Sequence, residues 1–374
     1  MAGVAGGELA AEVCKAGGLG FVGAGHLGLD NLESEVEKGR TALGLDAGAE
    51  LPFGVGLILW RLEQPHLDPS SAASTSDGFL SYIVRSKARA VWFAFSPDLE
   101  SWVRRFREIE RDIAAKKGQR RRVAVFIMVQ TEEMALKAKD WAGVDVIIAQ
   151  GKASTLAHFL STSFLAGTDA GGHGPSLDAG KPLFTLLSRL APHFPSASPP
   201  FLLAAGGLSS PALVSHALTI GAAACVSGTS LQVAKESLLP QKQKDLVVRT
   251  EGGQATERGL TWDRARGTVG WPDWVNGRAI KNLTSEEVLE TPEAQSARYK
   301  QAVDEGDVDR VVTWAGMSAA LPLFPGLDST HPNNEHPRDS RSLTLSALVA
   351  GTGVGFVNAI RPAREIVADL ASEL

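Results

Sequence analysis

Short apolar runs alternate with longer, helix-compatible segments between residues 6 and 226 of the chain. Consecutive parallel strands need a crossover connection, which is usually a helix, so this alternation predicts βα units that build a parallel sheet. Seven segments read as strands: 19–23, 53–59, 90–95, 123–129, 145–149, 201–205 and 223–226. A closed (β/α)8 barrel has eight strands, so we expect an α/β TIM-barrel core whose first strand is missing before Met1.

Two predicted helices carry capping signals at their first turns. Thr131 precedes two glutamates, and Ser209 or Ser210 precedes Pro211. Hydroxyl side chains cap orphan N–H groups, acidic side chains suit the first turn, and proline is tolerated at the first helical position. We therefore expect helices to begin just after these residues, and the second helix to end at Gly221.

The composition and pattern of the sequence divide the chain into four parts. Residues 1–231 read as the barrel core, within which 152–167 is an atypical insertion. Residues 232–316, rich in Trp, Gly and charged side chains, are expected to form an appended helical or irregular segment on the substrate side. Residues 317–351 read as a disordered insertion, and residues 352–374 as a C-terminal helix that packs on the barrel.

The composition excludes several classes of function. The formal net charge of −5 gives no sign of a nucleic-acid partner. The two cysteines, Cys14 and Cys225, are too few for a disulfide framework or a structural zinc site, so no metal is expected. No apolar run reaches the ~18 residues of a membrane span, and a signal-peptide layout is lacking. We therefore expect a cytoplasmic protein without a membrane partner, while organelle targeting stays open.

Glycine-containing loops follow the last two predicted strands. They read Ala-Ala-Gly-Gly at 204–207 and Val-Ser-Gly-Thr at 226–229. In TIM barrels the loops after strands seven and eight often hold a phosphate, because glycines let backbone N–H groups approach its oxygens. The alternative is that the glycines only turn the chain. Two such loops after consecutive strands favour a phosphate site over that alternative.

His173 is the best catalytic candidate among the eight histidines. It lies between Gly172 and Gly174, in a loop expected at the carboxyl end of a barrel strand, where the active sites of such barrels occur. An imidazole titrates near neutral pH and can act there as a base. The other histidines are assigned structural or surface roles: His26, His66, His158, His193, His216, His331 and His336.

Two further glycine patterns are not interpreted as dinucleotide sites. Gly18 begins a G-x-G-x-x-G match that follows a helix and lies within a predicted strand, which reverses the required context. Gly351 begins the pattern Gly-Thr-Gly-Val-Gly, and too little sequence follows it for the rest of a nucleotide-binding fold.

Short motifs occur along the chain in a fixed order: Met1-Ala2-Gly3-Val4, Gly17-Gly18-Leu19-Gly20, Ala149-Gln150-Gly151, Asp169-Ala170-Gly171-Gly172-His173-Gly174, Ala204 to Gly207, Ser227-Gly228-Thr229, Arg266-Gly267-Thr268, Trp271-Pro272 and Gly277-Arg278-Ala279. In this order they resemble the nitronate monooxygenases, formerly called 2-nitropropane dioxygenases, and most closely the fungal members.

The resemblance implies an FMN-dependent oxidoreductase that converts alkyl nitronates and O2 to carbonyl compounds and nitrite. It implies that His173 removes the α-proton of a neutral nitroalkane or orients an anionic nitronate, while the redox chemistry belongs to the flavin. The implied FMN contacts are Met1, Ala2, Gln150, Gly171, Gly207, Val226, Ser227, Gly228 and Thr229. A nitronate and O2 are then the small-molecule partners, and a homodimer stays open.

The chain departs from the family pattern at several places. Gly56 stands where the family usually has asparagine, and residues 152–167 and 317–351 interrupt motifs that normally run together. Both insertions end in Ala-Gly where the pattern resumes. One hypothesis is that they are translated intron sequence or gene-model errors. The other is a real insertion, in which apolar residues at near-helical spacing between 156 and 165 form a short lid helix.

Two other functions remain alternatives. One is a related FMN barrel that reduces an enoyl thioester with NAD(P)H, and the other is a non-catalytic or defective barrel. Release of nitrite from a nitronate, oxidation of NAD(P)H and the colour of the purified protein distinguish the three.

Overall fold

The computed structural model describes residues 3–25, 27–63, 76–117, 122–151, 170–176, 180–195, 197–266, 270–281, 291–304 and 350–374. Met1, Ala2 and the insertion predicted at 152–167 lie outside the described residues, as does nearly all of the insertion predicted at 317–351. The predicted four-part division of the chain therefore stays a prediction.

The described residues contain strands β1 (Phe21–Gly23), β2 (Gly54–Ile58), β3 (Ala90–Ala94), β4 (Ala124–Val129), β5 (Val146–Gln150), β6 (Gly172–Pro175), β7 (Phe201–Ala205), β8 (Ala224–Val226), β9 (Thr256–Gly259) and β10 (Val275–Ile280). Seven of them form one parallel sheet in the order β1-β2-β3-β4-β5-β7-β8. Each of these seven strands coincides with one predicted from the sequence, so the predicted parallel α/β core is confirmed.

Helices connect and cover these strands: α1 (Gly7–Lys15), α2 (Leu29–Ala42), α3 (Leu59–Leu62), α4 (Ser76–Arg85), α5 (Leu99–Lys117), α6 (Glu132–Ala138), α7 (Leu183–Leu190), α8 (Pro211–Ile220), α9 (Thr229–Gln232), α10 (Gln241–Arg249), α11 (Thr261–Arg266), α12 (Pro292–Asp304) and α13 (Ala363–Leu370). Within the described ranges, none of them is long and apolar enough to cross a membrane.

Helices α6 and α8 begin at the capping residues that the sequence predicted. The Thr131 hydroxyl accepts a hydrogen bond from Met134 N, and the Ser210 hydroxyl accepts one from Leu213 N at the start of α8. Gly221 follows α8 with a φ of 124°, a backbone conformation that favours glycine. Local side-chain chemistry therefore fixes where these two helices begin and end.

Alternation of side chains along β3 separates two cores. Phe93 faces the helices, where its ring lies 5.8 Å from that of Phe106 on α5. Trp92 points to the opposite face of the sheet, and its ring lies 5.4 Å from that of Phe21 on β1. Phe21 also contacts Phe126 on β4, with 5.4 Å between the ring centroids. Because β1 and β4 are separated by two strands, this contact shows that the sheet curls around an inner aromatic core.

The curled sheet is an incomplete barrel, as predicted. In the part of the chain that the structure describes, β1 and β8 are its two ends and do not pair with each other. The N-terminal residues lie along the outer edge of β1, where Gly23 N donates to Ala5 O at 2.8 Å and Gly3 N donates to Gly23 O at 3.4 Å. These two bonds satisfy part of an edge that would otherwise be unpaired.

A second, antiparallel sheet has the order β6-β10-β9. Its strands come from distant parts of the sequence, since Gly277 of β10 lies opposite both His173 of β6 and Gly259 of β9. The second sheet follows β5 at the carboxyl end of the barrel, where Ala170 N donates to Gly151 O at 3.3 Å. This sheet was not predicted from the sequence.

Arg107 ties the amino ends of β4 and β5 to α5. Its guanidinium donates to Val123 O at 2.8 Å, to Gly143 O at 2.7 Å and to the Asp145 carboxylate at 2.7 Å. It also pairs with Glu110, which accepts a hydrogen bond from Val123 N. The Arg107 side chain is only 12% exposed, so water cannot replace these bonds at little cost.

We predict that Arg107→Ala lowers the free energy of unfolding by about 2–4 kcal/mol, because it removes the donor of Val123 O and one donor each from Gly143 O and from the Asp145 and Glu110 carboxylates. Urea denaturation followed by circular dichroism measures this loss. Arg105→Ala is the matched control, since Arg105 on the same helix makes only exposed ion pairs and should leave the midpoint nearly unchanged. Equal losses in the two variants would contradict the prediction.

Candidate functional site

The carboxyl ends of the parallel strands bring several polar residues to one edge of the sheet. Gln130 follows β4, Gln150 ends β5, and residues 206–207 and 226–229 follow or end β7 and β8. Gln130 Nε2 donates to Gln150 Oε1 at 3.3 Å, so the two amides form a pair at this edge. This is the end of a barrel at which active sites occur.

His173 lies beside this edge, in β6 of the second sheet. Its main-chain oxygen accepts a hydrogen bond of 3.0 Å from Gln150 Nε2, which joins the second sheet to β5. The expectation that His173 lies in a loop is therefore wrong. Its glycine neighbours suggested a turn, but they instead permit β6 to pair with β10, and that pairing is not visible in local sequence.

Asp263, on α11, holds the imidazole of His173. His173 Nε2 lies 3.1 Å from both Asp263 Oδ1 and Oδ2. The two side chains are 6% and 4% exposed. A buried carboxylate accepts hydrogen bonds, so it favours a proton on Nε2. The pair thus has the arrangement of a base and an orienting acid.

Aromatic rings surround the imidazole. The Trp271 ring stacks on it, with 3.4 Å between centroids and 10° between planes, and Phe95 approaches its edge at 6.5 Å. Trp60 lies 4.9 Å from Trp271. The indole nitrogens of Trp60 and Trp271 are buried and have no hydrogen-bond partner within the described residues. These rings therefore form an apolar wall that contains two uncommitted N–H donors.

Phe95 has an unusual backbone conformation at the end of β3. Its φ is 61°, in the left-handed region that a phenylalanine rarely adopts. Its carbonyl accepts a hydrogen bond from Trp60 N at 3.2 Å, which helps to hold the turn. Strain of this kind occurs often at functional sites, and here it points the Phe95 ring at Trp271 and His173.

The C-terminal segment 350–356 packs on the glycine loops. Gly351 N donates to Thr229 Oγ1 at 3.1 Å. A Cβ added to Gly353 would lie 2.3 Å from Gly207 O, and one added to Gly171 would lie 2.5 Å from Gly351 N. The structure thus gathers Gly171, Gly207 and Thr229 around one segment, and the Gly351 pattern forms part of this packing rather than a nucleotide-binding turn.

Unpartnered polar atoms remain at the same edge. Ser227 Oγ and Gln130 Oε1 are buried and have no hydrogen-bond partner among the described residues. A buried hydroxyl and a buried amide oxygen are costly to leave unsatisfied, so they indicate a polar ligand. A phosphate oxygen can accept from Ser227, and a ring N–H can donate to Gln130. This pair of one donor and one acceptor therefore fits a phosphorylated flavin.

Cys225 precedes the second glycine loop but has no nucleophilic character. Burial raises the pKa of its thiol to about 12. Its Sγ lies 3.8 Å from Val214 O, which fits a weak hydrogen bond to α8. The sequence predicted a small buried side chain, and the structure shows a partly buried one that packs against the barrel core.

Sequence reasoning found part of this arrangement. The structure places Gln150, Gly207 and residues 226–229 at the carboxyl edge, His173 in the second sheet beside it, and Gly171 against the C-terminal segment that covers it. Sequence reasoning missed Asp263 and Gln130. Asp263 lies 90 residues beyond His173 in a charged stretch and carried no distinguishing signal. Gln130 directly follows a predicted strand, and that position could have identified it.

Known proteins are similar to this chain over most of its length. The family model described as nitronate monooxygenase matches residues 1–373. A nitronate monooxygenase of Neurospora crassa is 30% identical over 345 residues, which cover 85% of this chain and 82% of that protein.

Two solved structures have a similar fold. FabK from Thermotoga maritima aligns with a TM-score of 0.64 at 19% identity, covering 100% of this chain and 90% of that one. The nitroalkane oxidase from Streptomyces ansochromogenes aligns with a TM-score of 0.61 at 22% identity, covering 100% of this chain and 92% of that one. At these identities they support the barrel fold alone.

We predict that Gly353→Ala loosens the C-terminal segment from the first glycine loop, because the new Cβ would overlap the carbonyl oxygen of Gly207. The free energy of unfolding should fall by about 1–3 kcal/mol, and amide hydrogen exchange at residues 350–357 should become faster. Gly28→Ala is the control, since a Cβ there meets nothing within 4 Å. Unchanged exchange in the Gly353 variant would contradict this packing.

Proposed function

This chain belongs to the nitronate monooxygenase family and is a flavin oxidoreductase, and from that premise we propose that it uses FMN and O2 to oxidise alkyl nitronates to carbonyl compounds and nitrite. The observation that carries the proposal is the buried His173–Asp263 pair, which lies beside the glycine loops and unpartnered polar atoms of the carboxyl edge. The same edge thus offers a base and a place for the cofactor.

The chain's own residues are proposed to hold the flavin. When bound, FMN supplies the electron transfer that amino-acid side chains do not provide. Backbone N–H groups of residues 207 and 226–229 bind its phosphate in this proposal, with Ser227 as a hydroxyl donor. Gln130 and Gln150 bind the ring system. Met1, Ala2, Gly171 and Thr229 complete the proposed set on the strength of the family motifs.

His173 acts on the substrate in one of two ways. With a neutral nitroalkane, the imidazole accepts the α-proton as the C–H bond breaks, and the electron pair passes into the nitro group to give the nitronate. With a nitronate supplied as the anion, the imidazole only orients it. The apolar wall of Trp60, Phe95 and Trp271 excludes water and faces the alkyl part of the substrate.

The two uncommitted indole N–H groups have a role in this proposal. Trp60 Nε1 and Trp271 Nε1 are buried donors on the wall beside His173. A nitronate carries its negative charge on two oxygens, each of which accepts hydrogen bonds. Donors buried in a site of low polarity stabilise such an anion more strongly than water-exposed donors do.

We predict that the purified protein binds FMN and, with a preformed nitronate, consumes O2 and releases nitrite.

His173→Asn should retain the visible flavin absorbance but lose about 100-fold or more in kcat/KM for a neutral nitroalkane. His193→Asn is the control, since His193 is an exposed histidine, and should behave as the unaltered protein.

Two results would overturn this function. Oxidation of NAD(P)H with an enoyl thioester, without nitrite release from a nitronate, would favour the related reductase. Protein that stays colourless after incubation with FMN would favour a non-catalytic barrel.

We predict that Ser227→Ala weakens FMN binding by about 5- to 20-fold, because the phosphate loses a hydroxyl donor. Ser230→Ala is the matched control, since Ser230 also has a buried, unpartnered hydroxyl but is not among the proposed FMN contacts. Fluorescence titration of the flavin-free protein with FMN measures both affinities. Equal weakening in the two variants would contradict a specific contact at Ser227.

A further inference from the structure

Two buried glutamines and one backbone carbonyl form a chain of hydrogen bonds between the two sheets. Gln150 Nε2 donates to the main-chain oxygen of His173 at 3.0 Å, and Gln130 Nε2 donates to Gln150 Oε1 at 3.3 Å. Both glutamine side chains are buried. Because water has little access to these amides, they depend on each other and on a ligand for their hydrogen bonds.

The backbone carbonyl decides which way both amides face. A carbonyl oxygen only accepts hydrogen bonds, so the end of the Gln150 amide that meets His173 O must be its NH2 group. The other end, Oε1, is an acceptor and must therefore meet the NH2 group of Gln130. Gln130 Oε1 is then the last atom in this chain of bonds, and no donor among the described residues reaches it.

Gly174 leaves the room that this arrangement needs. A Cβ at that position would lie 3.1 Å from Gln150 Oε1, which is closer than side-chain carbons usually approach an oxygen. Gly174 follows His173 in β6. The second sheet therefore supplies both the carbonyl that orients the Gln150 amide and the space in which that amide lies.

The last atom of the chain is an acceptor, which limits what it can bind. The ring system of an oxidised flavin carries a single N–H group, at N3, and its other heteroatoms have no proton to donate. An acceptor that forms a hydrogen bond to this ring system must therefore contact N3–H.

The position of Gln130 favours the ring over the ribityl chain, whose hydroxyls can also donate. The proposed phosphate loops follow β7 and β8, and Gln130 follows β4, which is separated from β7 by β5. Two strand spacings place β4 about 10 Å from β7. The ribityl chain begins at the phosphate and the ring lies beyond it, so the residue far from the phosphate loops is suited to the ring.

We propose, on the basis of the FMN-dependent function above, that Gln130 recognises the N3–H group of the flavin ring through Oε1. Gln150 and the His173 carbonyl are the positioning groups, because they hold the Gln130 amide with its oxygen as the free end. The chain thereby selects a ring that can donate at N3. A ring without this N–H group leaves a buried acceptor unpaired, which weakens its binding.

FMN and its N3-methyl derivative differ at this one group, so their dissociation constants test the contact. Fluorescence titration of the flavin-free protein should show that FMN binds about 10-fold or more tightly than N3-methyl-FMN. Gln130→Met removes the amide and keeps an unbranched side chain of similar length. In this variant the preference for FMN should fall to about 3-fold or less, because no acceptor is left unpaired by the methyl group.

Gln232→Met is the matched control. Gln232 is also a buried glutamine whose amide oxygen has no hydrogen-bond partner among the described residues, but it ends α9 and is not a proposed contact of the ring. The preference for FMN over N3-methyl-FMN should be unaltered in this variant. If Gln130→Met keeps the full preference, the methyl group is rejected by shape alone and the proposed contact is overturned.

Gln150→Met tests the positioning role. It removes the bond to Gln130 Nε2 and lets the Gln130 amide turn, so the preference for FMN should fall several-fold although Gln130 itself is intact. A full preference in this variant would overturn the role of Gln150 in orienting the acceptor.

A second measurement separates the contact from the proposed function. Proton–nitrogen NMR of the unaltered protein with ¹⁵N-labelled FMN should show an N3–H signal, because a buried hydrogen bond slows exchange of this proton with water. The signal should be lost or move upfield in Gln130→Met. Bound FMN without an N3–H signal would overturn the contact even in an enzyme that oxidises nitronates. The signal and the preference together, without nitrite release, would contradict the proposed function alone, and protein that binds no FMN would overturn both.

Discussion

The antiparallel pairing of β6 with β10 is the interaction on which the site depends. It places His173 opposite Gly277, and β10 is paired in turn with β9, which leads directly into the helix that carries Asp263. Trp271 lies in the connection just before β10. A single three-stranded sheet therefore positions the base, its carboxylate and the ring stacked upon it, and it joins the barrel through the bond from Gln150 to the His173 main chain.

The barrel supplies a different part of the site. Its strands are parallel, so the residues that follow them meet at one edge even when they are far apart in sequence. Gln130, Gln150, Gly207 and Ser227 come together in this way. The cofactor is thus proposed to bind at the edge of the first sheet, and the proton-transfer groups belong to the second. The substrate would react at the junction of the two sheets, under the aromatic wall.

The barrel was predictable from the sequence because its signals are local. Apolar runs of strand length, capping hydroxyls at Thr131 and Ser210, and glycine at the end of α8 each act within a few residues. The second sheet was not predictable, because β6, β9 and β10 are short and rich in glycine and polar side chains, and their pairing is long-range. The same reason explains why His173 was expected in a loop and why Asp263 was missed, since its role arises only after β9 and β10 pair.

The contact between Gly351 and Thr229 spans 122 residues of chain. A ribosome adds residues from the amino end, so the barrel strands can assemble while residues 350–356 are still inside the exit tunnel. The glycine loops therefore receive these neighbours only after the chain has been synthesised as far as residues 350–356. Until then, a nascent barrel would hold its glycine loops without this packing.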